Sequence, residues 1–175
     1  AHNMLGHTEE AKQILQVSMY QNMLFTIATA AEGLSLEVAN PAHFDETVKR
    51  IKKLIDVFHV EALNVNAALV FYLKAATGYA MQNRKAETLN MLKRYVKTCI
   101  QIQFPITLQG DDYFYLLTDW IIKEIDPQAP RDEQSIKRDL LAGALLPVFQ
   151  LLQEDKEYKA LIQNLEHHLN IEEGN

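Results

Sequence analysis

Between five prolines and six isolated glycines, the apolar residues of this chain recur every three or four positions, and no segment alternates as a strand would. Such a pattern buries apolar side chains only by forming helices and packing them together. The first helix is expected to start at Thr8, a capping residue followed by Glu9 and Glu10, acids that suit a helix N-terminus. It can run as far as Val38, with Leu24, Ile27, Ala28, Ala31, Leu34 and Val38 on one stripe and Gln21-Asn22 as a place for a break. Asn40-Pro41 opens a second helix, a capping side chain before a residue pre-set for the first helical position, and Phe44, Val48, Ile51, Ile55 and Phe58 form its buried face.

A short connection, Val60 to Asn64, leads to a third helix from about Asn66 to Gln82 with Leu69, Leu73, Ala76 and Ala80 inward. Asn83 makes the turn, and a fourth helix carries Leu89, Leu92, Val96, Cys99 and Gln103 on one face. Pro105 ends it. Gly110-Asp111-Asp112 is expected to open a fifth helix rich in aromatics, Tyr113, Phe114, Tyr115 and Trp120. Pro127 and Pro130 bracket a loop, a sixth helix covers about Asp132 to Leu145, Pro147 interrupts, and a last helix carries Tyr158, Leu161, Ile162, Leu165 and Leu169. The expected fold is all-α, about seven or eight antiparallel helices in a single domain spanning residues 1–175.

Charge narrows the function classes. Residues 1–105 hold eleven Lys/Arg against nine Asp/Glu, whereas residues 106–175 hold six against fourteen, which makes up the net −6. Neither part has the clustered positive charge that displaces counterions from nucleic acid. No apolar run approaches the roughly 20 residues that span a bilayer, and the single Cys99 excludes a disulfide framework, so a cytoplasmic setting is expected.

Within this pattern the helix pair from Asn66 to Gln103 reads as a repeat. Ala76 permits close approach, Tyr79 packs one turn later, Asn83 turns, and Thr88, Leu92 and Tyr95 fall where a tetratricopeptide repeat places Ala, Phe and Ala. Thr88 and Tyr95 depart from the small residues of that pattern. In the same frame Gly6, Ala11, Leu15 and Ser18 match the turn and second helix of an earlier unit, so the chain is expected to begin inside a repeat. A generic antiparallel bundle is the alternative.

Several pieces together resemble the C-terminal region of Firmicutes helix-turn-helix regulators of the Xre type: Leu5 to Lys12, Phe58 to Leu63, Leu89 to Val96, Phe104 to Phe114, Pro130 to Glu133, and Phe149 through Ile162. The resemblance implies tetratricopeptide-like helices that follow an N-terminal DNA-binding domain, which has no counterpart in these residues. It implies a regulatory domain of a transcription regulator, one that forms a homodimer or senses a peptide or small-molecule effector and meets DNA only through the absent domain. A peptide-binding interaction module with no link to DNA is the rival.

No catalytic signature, metal-ligand set or cofactor motif is legible, so no enzyme is expected. Lys49, Arg50 and Lys53 read as a solvated helix face. Asp111 and Asp112 read as caps, and Asp119 and Asp126 lie too far along the chain to converge with them. His167 and His168 diverge around a helix near its negative end. Cys99 reads as a small core residue. The aromatic cluster Tyr113, Tyr115 and Trp120 is the best candidate for a partner or ligand surface, because three consecutive aromatics at 113–115 cannot all face one core. Tyr72, Tyr79 and Asn83, along one side of the third helix, are a second candidate for lining a groove.

Overall fold

The computed structural model describes residues 2–125 and 132–171, with side chains from residue 7 onward. The expected Pro127–Pro130 loop and Asp126 lie outside the described residues. Among those described the fold is all-α, with no strand: α1 (His2–Leu36), α2 (Pro41–Val57), α3 (Val60–Leu63), α4 (Val65–Met81), α5 (Lys85–Ile100), α6 (Leu117–Glu124), α7 (Glu133–Ala144), a 3-10 helix (Pro147–Leu152) and α8 (Lys156–Leu169).

Short polar side chains cap the helices at several joints. Asn40 accepts from His43 N, Asn64 from Ala67 N, Asp132 from Ser135 N, and Asp155 from Glu157 N and Tyr158 N, each satisfying an orphan donor at a helix start. Asn83 takes the left-handed conformation at φ 58° that closes the α4–α5 hairpin, and Arg84 N donates to Tyr79 O across it. The three-residue link leaves α4 and α5 antiparallel.

The centre of the molecule is α4. Ala68, Ala75, Ala76, Gly78 and Ala80 are buried together with Leu69, Phe71, Tyr72 and Tyr79, so neighbours close on this helix from several directions. α1 and α5 pack on it, with Ile27, Ala31 and Leu34 of α1 and Leu89, Leu92 and Val96 of α5 buried in the same core. α2 contributes Phe44, whose ring meets Tyr79 edge-on at 4.9 Å. α7 and α8 lie against α5 and against each other: Tyr95 Oη of α5 donates to Leu140 O of α7 at 2.9 Å, and Tyr158 Oη of α8 donates to Ala144 O at the end of α7 at 3.0 Å. The buried hydroxyls of Thr88 and Thr98 bond back to Arg84 O and Arg94 O in their own helix. No buried side-chain polar atom among the described residues lacks a partner.

Several expectations fail. α1 begins by His2, and Gly6 lies inside it, so the Leu5-Gly6-His7 turn and the earlier repeat unit it opened do not exist. A glycine costs a helix only about 1 kcal/mol, and no proline stands nearby to stop the helix. α1 also runs unbroken past Gln21-Asn22, and its buried face is Tyr20, Met23, Ile27, Ala31 and Leu34, with Ala28 on the solvent side. No helix opens at Gly110. Asp111 Oδ1 accepts from Tyr113 N and Phe114 N, but this closes a turn and α6 starts only at Leu117. Finally, α5 stops at Ile100, which leaves Gln103 exposed in the segment before the cis peptide of Pro105.

A methyl group on Gly78 would occupy the space of the Phe44 ring edge, and that ring is fully buried. Gly78→Ala is therefore expected to lower unfolding free energy by about 1–3 kcal/mol despite its better helix propensity. Urea denaturation followed by circular dichroism measures it, and an unchanged or raised midpoint would contradict the packing described.

Candidate functional site

The polar centre of the molecule is built on α3, a single turn whose Val60 and Leu63 are buried. Burial of these two fixes the turn and sets Glu61 between α2, α4 and α5. Its Oε1 accepts from Arg94 Nε at 2.7 Å and Tyr72 Oη at 2.8 Å. Thr98 Oγ1 lies 3.0 Å from the same oxygen and 2.9 Å from Arg94 O, so its one proton is shared between two acceptors. Arg94 also reaches Asp56 at 2.6 Å through its terminal nitrogen, and its guanidinium lies 5.5 Å from the Tyr72 ring centroid. One arginine thus joins α2, α3 and α5 over the aromatic face of α4.

The electrostatics follow from this crowding. Burial pushes the Glu61 carboxyl up, but hydrogen bonds from Arg94, Tyr72 and Thr98 outweigh it and hold the group below the usual carboxylate range. Burial raises the Tyr72 phenol well above its ordinary value, and the bond to Glu61 adds to it. All three donors converge on Oε1. Oε2 receives none and is open to solvent.

Glu61 lines a cavity of about 570 Å³ between α3, the end of α5 and the segment around Pro105. Thr98, Gln101, Gln103 and Gln109 supply its polar wall, and Val65, Ile102 and Ile106 its apolar wall. A second cavity of about 760 Å³ lies between the α2–α3 corner and residues 109–113, with Phe58, His59, Asp111, Asp112 and Tyr113 around it. His59 makes that corner in the left-handed conformation, φ 51°, which is uncommon for a residue other than glycine. Gln109 lines both cavities.

The residues singled out from the sequence divide sharply. Tyr72 and Tyr79 do not line a groove; both are core residues, because small neighbours on α4 let the helices close over them. Tyr72 spends its hydroxyl on Glu61. The Tyr79 ring lies under Arg84 at 4.7 Å, and burial with the nearby Asp45 pushes its phenol up to about 12. Asn83 is exposed, as the turn residue. Trp120 is half-buried against the core, whereas Tyr113 and Tyr115 are 56% and 55% exposed on either side of the fully buried Phe114. Of the aromatic cluster, Tyr113 borders the second cavity. Cys99 is buried, and burial pushes its thiol up to about 12, which leaves little thiolate at neutral pH. Lys49 and Arg50 pair with Glu46 on the exposed face of α2.

Sequence reasoning missed Glu61, Arg94 and Thr98. The available signal was an acidic residue between two apolar ones in a short connection, together with Arg and Thr spaced i, i+4 on the next helix hairpin. It also missed Gln16, whose amide donates to Tyr113 O at 3.2 Å and accepts from Leu116 N at 3.0 Å, pinning the 113–116 turn to α1. No three His, Cys, Asp or Glu side chains converge on a metal-sized site among the described residues. No protein-family model, curated protein or solved structure matches this chain.

Because Glu61 is more acidic folded than unfolded, it stabilises the protein above the unfolded carboxylate range, and that stabilisation is lost as pH falls through its lower folded value. Glu61→Gln is expected to cost about 1–3 kcal/mol near pH 7, with the difference from the native chain shrinking toward pH 3. Denaturation at a series of pH values measures this, and a difference that stays constant with pH would exclude the ionised role.

Proposed function

We propose that this chain is a regulatory domain of a cytoplasmic transcription regulator, which pairs two copies through α1 and so sets the separation of DNA-reading helices carried outside these residues. The resemblance to Xre-type regulators motivates the family, and one structural observation carries the pairing. α1 has apolar side chains on two faces. Tyr20, Met23, Ile27, Ala31 and Leu34 face the core, while Ile14, Leu15 and Phe25 point away from it at 67%, 69% and 71% exposure.

At 100° per residue, Ala11, Ile14, Ser18, Asn22, Phe25 and Thr29 share one stripe, with Leu15 at its edge, and no charged residue occurs between Lys12 and Glu32. The large side chains leave on the order of 400 Å² of apolar surface in water, the size of the biggest patch on a typical monomer, which is often functional. A stable interface takes about 800 Å² from each partner, so the small residues and flanks of the stripe must be buried along with the large ones. A two-fold axis beside Ser18 and Asn22 sets Phe25 against Leu15 of the partner subunit, so the largest side chains meet near the centre. Helix-turn-helix readers bind half-sites about one DNA turn apart, so a fixed pairing of helical domains decides which operators fit.

A peptide-binding module remains the second reading, favoured by the α4–α5 hairpin with its tight Asn83 turn. The burial of Tyr72 and Tyr79 takes away the groove wall that reading drew on.

Analytical ultracentrifugation tests the assignment. The native chain is expected to be a dimer at low micromolar concentration, and Phe25→Glu or Leu15→Glu should weaken it on the order of 100-fold without loss of helical signal. A native monomer, or a dimer indifferent to both changes, would remove α1 pairing from the proposal.

A further inference from the structure

The two cavities beside the 101–113 segment share a chemical character that the pairing of α1 does not use. Glu61, Asp111 and Asp112 stand on their walls, and no lysine or arginine does. Glu61 offers Oε2, which takes no protein donor. Behind it, the one positive charge of Arg94 is divided between Glu61 and Asp56, so the carboxylates outnumber the guanidinium. Asp112 is exposed, and neither Asp111 nor Asp112 forms an ion pair with a lysine or arginine among the described residues. Each cavity therefore presents negative charge facing water with space in front of it.

The remaining wall chemistry selects among cations. A small hard metal ion wants several converging oxygens, and among the described residues no three carboxylate, histidine or cysteine side chains converge. Val65, Ile102 and Ile106 give the first cavity an apolar side suited to methylene groups, and Gln101, Gln103 and Gln109 bring amide oxygens that accept from N–H donors. In the second cavity Phe58 and Tyr113 meet edge to face, 6.0 Å between centroids, next to Asp111 and Asp112. Aromatic rings beside carboxylates favour an alkylammonium through both charge and cation–π attraction. Gln109 borders both spaces, so a flexible chain can pass from one to the other along the surface.

We propose that the two cavities together form a site for a linear aliphatic polyamine, with one ammonium group at Glu61 Oε2 and another beside Asp111 and Asp112. The methylene chain lies against Ile102 and Ile106 and crosses at Gln109. Site and ligand are independent of the α1 face, so the failure of either proposal leaves the other standing.

Calorimetric titration of the whole chain with spermidine tests it, with hexylamine as the single-ammonium comparison and Mg²⁺ as the diffuse-charge control. Saturable one-to-one binding of spermidine is expected, with hexylamine about tenfold weaker or less, and each of Asp112→Asn and Glu61→Gln weakening spermidine about tenfold. Glu61→Gln also loosens the interior, so its result is read only where the helical spectrum is retained. Asp112→Asn changes an exposed side chain and decides the matter alone if needed. Three outcomes would overturn the proposal: no saturable binding, equal affinity in native chain and Asp112→Asn, or full displacement by Mg²⁺ at matched ionic strength.

Discussion

The two longest neighbours in the centre of this fold, α1 and α5, are placed by how closely they can approach α4, and α7 and α8 then pack on α5. The alanines and Gly78 give α4 a thin profile, and thin helices allow close packing on several sides at once. The edge of the Phe44 ring sits where Gly78 has no side chain, α1 and α5 close on α4 as well, and Phe71, Tyr72 and Tyr79 are buried with the small residues. That crowding is also why the polar groups of the interior are tied so tightly. A phenol or carboxylate drawn in by the packing must find its partner there, and Tyr72, Glu61, Arg94 and Thr98 find one another.

The α2, α4, α5 and α8 helices could be read from the chain because local signals and tertiary packing agree there: a capping Asn or Asp, a stripe at helical spacing, a turn residue able to take positive φ. Where local signals carried two meanings, the sequence was ambiguous. Asp111 satisfies the next two or three backbone N–H groups equally well in a helix start or in an isolated turn, and only the anchorage of that turn by Gln16 selects the second. Gly6 reads as a turn only if something follows it that needs one. In α1 nothing does, and Ala11, Leu15 and Ser18, which matched the second helix of a repeat, lie with Gly6 in the same unbroken helix.

The candidate site was less legible than the fold, because its parts come from four helices that spacing along the chain does not connect. Tyr72 stood out as an aromatic with a polar handle, and the handle proved to point inward to Glu61 rather than outward to a ligand. The exposed surface with most chemistry around it borders residues 101–113, where glutamines, carboxylates and Tyr113 surround open volume. Composition hinted at this only in bulk, through the acidic surplus after residue 105. Which carboxylates would face a cavity was decided by the non-helical path of that segment.

One consequence of the length of α1 concerns motion. At about 1.5 Å per residue it is a rod of roughly 50 Å, twice the length of α4. Its first buried side chain among those described is Tyr20, so the half before it is held mainly by the Gln13 and Gln16 amides on the 113–116 turn. Such a rod is a lever with its fulcrum at the packed end. A tilt of a few degrees about that end moves the other end by ångströms.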